Sequence, residues 1–236
     1  VTTPPRPADA SSRAEATRRV WYAAYGSNMH VDRLAYYLAG GRPPGGARTY
    51  PGCRDPRRPE RMVPVMLPGQ LYFALESATW TGGMGFYDPF DPGEMPARAY
   101  LLTVSQFSDI AAQEMYRDPG EDLDLSGVLA TGRATLGEGR YETLVRPRLL
   151  DGHVDGHVDG HADGRLDGRP VLTFTAPWRR AEAWLNRPSA AYLRNLATGL
   201  RESHRWSTER IAQYLAARPG AAGQWSMADI AALLAD

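Results

Sequence analysis

The chain has 236 residues, with 27 basic and 27 acidic side chains and a formal net charge of zero, a length that suits one domain or one domain with decorations. That balance argues against nucleic acid or an acidic membrane surface as the main partner. The single cysteine, Cys53, cannot form an intramolecular disulfide, no apolar run reaches membrane-spanning length and no signal-type apolar segment follows the N-terminus, so the expected setting is cytoplasmic, with no membrane partner.

Residues 1–19 are rich in Pro, Ala, Ser and Arg and carry no apolar periodicity, which predicts a mobile tail. The run from Val20 through Trp21, Tyr22, Ala23, Ala24 and Tyr25 reads as a buried strand. Gly26, Ser27 and Asn28 break it, and residues 30–38 read as a helix stopped by Gly40 and Gly41. Such a strand–turn–helix junction leaves backbone N–H groups at a positive helix end, suited to a carboxylate or a developing oxyanion. The other reading, a simple turn with an N-cap, stays open. The junction lacks the P-loop and dinucleotide patterns and is not a nucleophile elbow.

Residues 40–59 form a Gly-, Pro- and Arg-rich loop around Cys53, for which no nearby histidine suggests catalysis. Residues 61–67 and 70–75 read as strands separated by Gly69. Trp80, Gly82, Gly83 and Gly85 follow, a spacing that fits either a backbone approached closely by a ligand or a bulged hairpin with an aromatic plug. Residues 97–103 read as a strand, and Ser105 as the N-cap of a helix over residues 106–116. On that helix Phe107, Ile110, Ala111 and Glu114 share one stripe, with Gln106, Asp109 and Gln113 away from it. A carboxylate on an apolar stripe costs free energy unless paired, and its pKa tends to rise, as a general acid/base near neutral pH requires. If the helix ends first, Glu114 simply reaches water.

Residues 117–140 are polar and Gly/Asp-rich, and residues 141–149 return as a strand. Residues 151–169 repeat Asp-Gly-His-Val and its variants with a period of four. Metal sites need rigidly held ligands, and a glycine in every repeat opposes that, so an expanded hairpin loop is expected. Residues 171–176 read as the closing strand, followed by helices through residue 200, over residues 207–217 and over residues 224–236.

The sequence Tyr25-Gly26-Ser27-Asn28-Met29 resembles the N-terminal signature of the gamma-glutamylcyclotransferase-like family. Three further features resemble that family in the same order: Trp80 with Gly82 and Gly83, Glu114 in Ile110-Ala111-Ala112-Gln113-Glu114-Met115, and Pro188-Ser189-Ala190-Ala191-Tyr192. Ala111 and Met115 stand where the family motif has Asp and Gly, and Phe174 stands where many members carry a tyrosine facing the substrate. The resemblance implies an α+β fold, a small mixed β-barrel flanked by helices. The domain would span residues 20–217 with insertions at 117–140 and 151–169 and a C-terminal extension at 218–236 carrying a short helix. It implies release of 5-oxoproline from a small-molecule γ-glutamyl amide, with Glu114 as general acid/base. Tyr25, Gly26, Ser27, Asn28, Met29, Trp80, Gly82 and Gly83 would bind the substrate, with no metal or organic cofactor. A silent binding module of the same fold, or γ-glutamyl deprotection of a specialised-pathway intermediate, are the alternatives. Oligomeric state is not encoded in any of these features.

Overall fold

Strand β1 (Arg19–Ala24) lies in the middle of the main sheet of the computed structural model, which describes residues 19–44, 46–150, 160–161 and 163–235. It pairs antiparallel with β5 (Glu94–Thr103), from Arg19 opposite Thr103 to Ala24 opposite Arg98. On its other edge it runs parallel to β10 (Arg169–Thr175), with Trp21 opposite Val171 and Tyr22 opposite Leu172. Strand β2 (Met62–Pro68) extends the sheet beyond β5, and β7 (Thr143–Val145) and β6 (Arg133–Thr135) extend it beyond β10. The short β8 (Gly160–His161) and β9 (Arg165–Leu166) attach to β10 through β9.

Strands β3 (Gln70–Ala74) and β4 (Met84–Asp88) form a separate antiparallel pair. A side chain, not a ladder, ties this pair to β10: Tyr87 N–H donates to Thr175 Oγ1 (3.0 Å), and Thr175 Oγ1 donates to the Tyr87 carbonyl (2.7 Å). The architecture is therefore α+β, as the sequence implies, but the strands do not close into a barrel among the described residues.

Both faces of β1 are buried from Val20 to Ala24, which is why that run is apolar rather than alternating. Trp21 and Ala23 face one core with helices α4 (Ala190–His204), α5 (Thr208–Ala216) and α6 (Met227–Leu233). Val20, Tyr22 and Ala24 face a second core with α1 (Val31–Ala39) and α2 (Val104–Glu114). The expected C-terminal extension belongs to the first core: Ala221 and Ile230 are fully buried there. No helix among the described residues is long and apolar enough to cross a membrane.

Helix α2 starts earlier than the sequence reading predicts. Thr103, not Ser105, is the N-cap: its Oγ1 accepts from Gln106 N–H, and Gln106 Oε1 accepts from Thr103 N–H, both at 3.1 Å. Thr103 has a glutamine three residues on and Ser105 does not, so only Thr103 completes a capping box. Phe107, Ile110 and Ala111 are fully buried, as their spacing predicts. Burying each of the two large side chains contributes about 1.5–3 kcal/mol.

Gln106, Asp109 and Gln113 are buried too, contrary to expectation, because the loop around Cys53 covers the first two and α1 lies against the third. Gln106 donates to the Arg57 carbonyl (2.9 Å), Asp109 accepts from Arg54 N–H (2.8 Å), and Gln113 donates to the Tyr37 carbonyl (3.0 Å). Cys53 Sγ lies 3.2 Å from the Tyr37 carbonyl, and burial pushes its thiol up to about 12, which leaves no thiolate nucleophile at neutral pH.

Other boundaries also shift. The polar segment 117–140 contains α3 (Ser126–Thr131) and β6. The strand expected over 141–149 is only β7: Tyr141 adopts φ 64 just before it, and Pro147 follows two residues after its end. The expected tail at 1–19 and the repeats at 151–159 lie outside the described residues, apart from Arg19.

Candidate active site

The end of β1 and the turn after it form one wall of a cavity. The strand ends at Ala24, Gly26 caps a single 3-10 turn over Ser27–Met29, and α1 begins at Val31. Tyr25, Gly26, Ser27 and Asn28 line the cavity with Trp80 and Glu114. Glu114 is the last residue of α2, so its side chain leaves the helix end at the cavity floor. Asn28 Nδ2 donates to Glu114 Oε1 at 3.0 Å and lies 3.4 Å from the Tyr22 hydroxyl.

Burial pushes the Glu114 carboxyl above the usual glutamate range. The Tyr37 hydroxyl, the charges of Arg33 and Arg48 and the Asn28 amide pull it back without cancelling the shift. Tyr37 itself is pushed well above its usual value, first by burial and then by the Glu114 charge. A carboxylate with these neighbours can accept a proton from a ligand ammonium and return it later.

Several of the backbone donors at this turn, which the sequence suggests for an anion, are already engaged. Met29 N–H closes on the Gly26 carbonyl at 3.0 Å, and His30 N–H on the Ser27 carbonyl at 3.1 Å. Ser27 N–H faces the Tyr192 hydroxyl, which also accepts from Gly85 N–H at 3.1 Å. The glycine at 26 is a matter of space, since its φ is −99 and an added Cβ would stand 3.2 Å from Tyr192 Oη.

Three other expected binding residues do not line the cavity. Met29 is 1% exposed and packs in the core, against Gly199. An added Cβ on Gly82 would lie 2.4 Å from the Arg187 carbonyl oxygen, and one on Gly83 would lie 2.2 Å from that of Asn186. Gly83 N–H also donates to the Arg187 carbonyl at 2.7 Å. These two glycines let the chain at 186–188 approach, which explains them without a ligand. Trp80 lines the cavity and stacks on Tyr192, with centroids 6.5 Å apart.

Phe174 stacks on Tyr22 at 5.2 Å and offers the cavity no hydroxyl. Tyr22, Tyr37, Tyr50, Tyr141 and Tyr192 line the same space. Tyr25 is less available, because its hydroxyl donates to the Phe174 carbonyl at 2.9 Å. The sequence reading also missed Arg33, a cavity-lining side chain that is 3% exposed. The argument used for Glu114 would have found it: Arg33 stands four residues before Tyr37 on the buried side of α1. Among the described residues, no group of three or more His, Cys, Asp or Glu could hold a metal.

No family model matches the chain. It is 30% identical over 217 residues to histone deacetylase 5 of Arabidopsis thaliana, covering 89% of this chain and 32% of that protein. The chain thus spans about a third of the length of the curated relative it matches. Among solved structures it is similar to a gamma-glutamyl cyclotransferase, with TM-score 0.49 and 15% identity, covering 91% of this chain and 98% of that one. An uncharacterized protein from Homo sapiens gives TM-score 0.48 and 16% identity, over 93% and 99% of the two chains. YkqA from Bacillus subtilis gives TM-score 0.46 and 17% identity, over 89% and 59%.

Proposed function

We propose that this chain cleaves a γ-glutamyl amide by intramolecular cyclisation, with release of 5-oxoproline. The observation that carries the reading is the hydrogen bond from Asn28 to Glu114. The motif resemblance assigns the Tyr25–Met29 stretch and Glu114 to one site from distant parts of the sequence. Asn28 and Glu114 line one cavity, with the carboxyl raised in pKa by burial, which supports that reading.

In this scheme Glu114 takes a proton from the substrate's α-ammonium. The freed amine attacks the γ-carbonyl, a ring C–N bond forms and the original amide C–N bond breaks. Glu114 returns its proton to the leaving amine and the ring nitrogen gives up a second one to it, which leaves a neutral ring N–H, a protonated free amine and the regenerated carboxylate. The nucleophile belongs to the substrate, so holding it near the carbonyl replaces a protein nucleophile. Aromatic walls from Tyr22, Tyr141, Phe174 and Tyr192 limit water at the reacting carbonyl and favour ring closure over hydrolysis. The scheme calls for neither metal nor organic cofactor, and its partner is a small molecule in the cytoplasm.

Incubating the chain with a panel of γ-glutamyl amines and assaying 5-oxoproline tests the proposal. An acetyl-lysine peptide belongs in the panel, because the name of the plant relative denotes a deacetylase. Saturable ligand binding without cleavage of any γ-glutamyl compound supports the silent binding module; the missing hydroxyl at Phe174 bears on which γ-glutamyl substrate is taken, not on the reaction type.

A further inference from the structure

The tyrosines of the cavity differ in where their protons go. Tyr25 donates to the Phe174 carbonyl and Tyr141 to the Gly85 carbonyl, both at 2.9 Å. Tyr37 turns its proton to the Glu114 carboxyl. Tyr22, Tyr50 and Tyr192 only accept, and no described residue takes their protons. Tyr50 is held at the Arg33 guanidinium. Tyr22 and Tyr192 stand instead at the 26–29 turn, one beside Asn28 and the other facing Ser27. The Tyr192 oxygen accepts from Gly85 N–H at 3.1 Å and faces Ser27 N–H as well. A Cβ added to Gly26 or Gly85 would stand 3.2 or 2.7 Å from it, so the oxygen is clamped between the turn and β4. With two amides on that oxygen, its O–H is left to point away from both, and Tyr192 lines the cavity. The amides also polarise the O–H and strengthen it as a donor.

Tyr22 Oη lies 3.4 Å from Asn28 Nδ2, which also donates to Glu114 at 3.0 Å, so this hydroxyl stands one side chain from the base. Phe174 stacks on the Tyr22 ring at 5.2 Å and Tyr100 at 6.4 Å, which fixes its plane. Burial first, and then the Glu114 charge, pushes Tyr22 well above the usual tyrosine range, and burial does the same for Tyr192. Both therefore keep their protons at neutral pH and serve as donors, not bases. We infer that Tyr22 and Tyr192 are the donor pair for the ligand's γ-carbonyl oxygen, and for the oxyanion that this oxygen becomes when the ring closes. Tyrosine O–H groups stabilise such oxyanions most where water is excluded. The Ser27 amide, engaged within the protein, then reaches the ligand through the Tyr192 proton. The oxyanion rests on the proposed reaction; the contact with the carbonyl oxygen needs no turnover.

The test exchanges the acceptor as well as the donors. Sulfur in place of the γ-carbonyl oxygen nearly keeps the shape and accepts hydrogen bonds weakly. Wild type, Tyr22→Phe and Tyr192→Phe are each given a γ-glutamyl amide and its γ-thioamide, with free amine as the common readout. Calorimetry on the same three proteins compares 5-oxoproline with its thiolactam. Removing one oxyanion donor costs about 10²–10³ in kcat. Each variant should lose about a hundredfold in kcat on the amide, with KM changed far less, and much less than that on the thioamide. The preference for 5-oxoproline over the thiolactam should fall by about two- to tenfold. A general loss of structure, such as that from the amides left open in Tyr192→Phe, lowers both members of a pair alike and leaves the ratios unchanged. Unchanged ratios in either variant overturn the donor pair, as does a wild type that prefers oxygen in neither assay. If no γ-glutamyl compound is cleaved but the lactam preference falls in both variants, the donors stand and the reaction falls. If cyclisation proceeds and the ratios do not move, the reaction stands and the donors fall.

Discussion

Asn28 donates its side-chain amide to Glu114 at 3.0 Å across 86 positions of sequence. One partner sits on the turn that ends β1, the other on the last residue of α2. Tyr100 fixes the turn from below: its hydroxyl lies 2.8 Å from the Asn28 carbonyl and 3.0 Å from the Met29 carbonyl. The position of the carboxyl is thereby set by two separately anchored elements, as a reacting group requires.

Replacing Glu114 with Gln removes the titrating group and keeps the shape and an acceptor oxygen for Asn28. Turnover should fall by at least about a hundredfold, the scale of a general acid/base. Thermal unfolding at pH 7 should show a variant at least as stable as wild type, because a buried charge has been removed. A clear loss of melting temperature, with activity retained, contradicts the role given to Glu114.

The pH dependence follows from the same raised pKa. The folded-state value lies above the unfolded one, so the contribution of Glu114 to stability is fully present below the usual glutamate range. It is lost as pH rises through the folded value. The stability difference between wild type and Glu114→Gln should therefore shift against wild type over that window and stay level above it. The base must be ionised to act, so kcat/KM should drop on acidification at a pH above the usual glutamate value. Unfolding curves and rate profiles across mildly acidic pH check both statements.

Gly83→Ala should destabilise the fold. Its new Cβ would meet the Asn186 carbonyl oxygen at 2.2 Å, and backbone must move to relieve that contact, at a cost of about 1–3 kcal/mol. Denaturant titration measures it. Unchanged stability with a raised KM would instead make Gly83 a ligand contact.

Thr103→Ala should cost about 1 kcal/mol through the lost cap of α2, and Ser105→Ala should be nearly neutral. Paired denaturant titrations separate the two. Equal losses would mean that the cap geometry is not what holds the start of this helix.

Much of this arrangement is legible in the residues themselves. The doubly buried part of β1 shows in the apolar run from Val20 on, and the half-buried setting of Glu114 in its spacing from Phe107 and Ile110. The burial of Gln106, Asp109 and Gln113 is not legible locally, because the Cys53 loop folds back over the first two and α1 meets the third through the Tyr37 carbonyl. Gly82 and Gly83 look like ligand-approach glycines for the same reason: the chain that approaches is their own segment 186–188. Residue type points Arg33 to the solvent face of an amphipathic helix, and only its place four residues before Tyr37 points it inward. Its cage is drawn from Tyr37, Tyr50 and Trp80, and two of those three lie in other parts of the chain.

The central claim is cyclisation driven by the substrate's own amine, and one comparison tests it most directly. Wild-type protein is given a γ-glutamyl amine and its N-acetylated counterpart, and 5-oxoproline and free amine are quantified together. The account predicts equimolar 5-oxoproline and amine from the first compound and neither product from the second. Release of amine from the N-acetylated compound would contradict it, because that substrate has no nucleophile with which to close the ring.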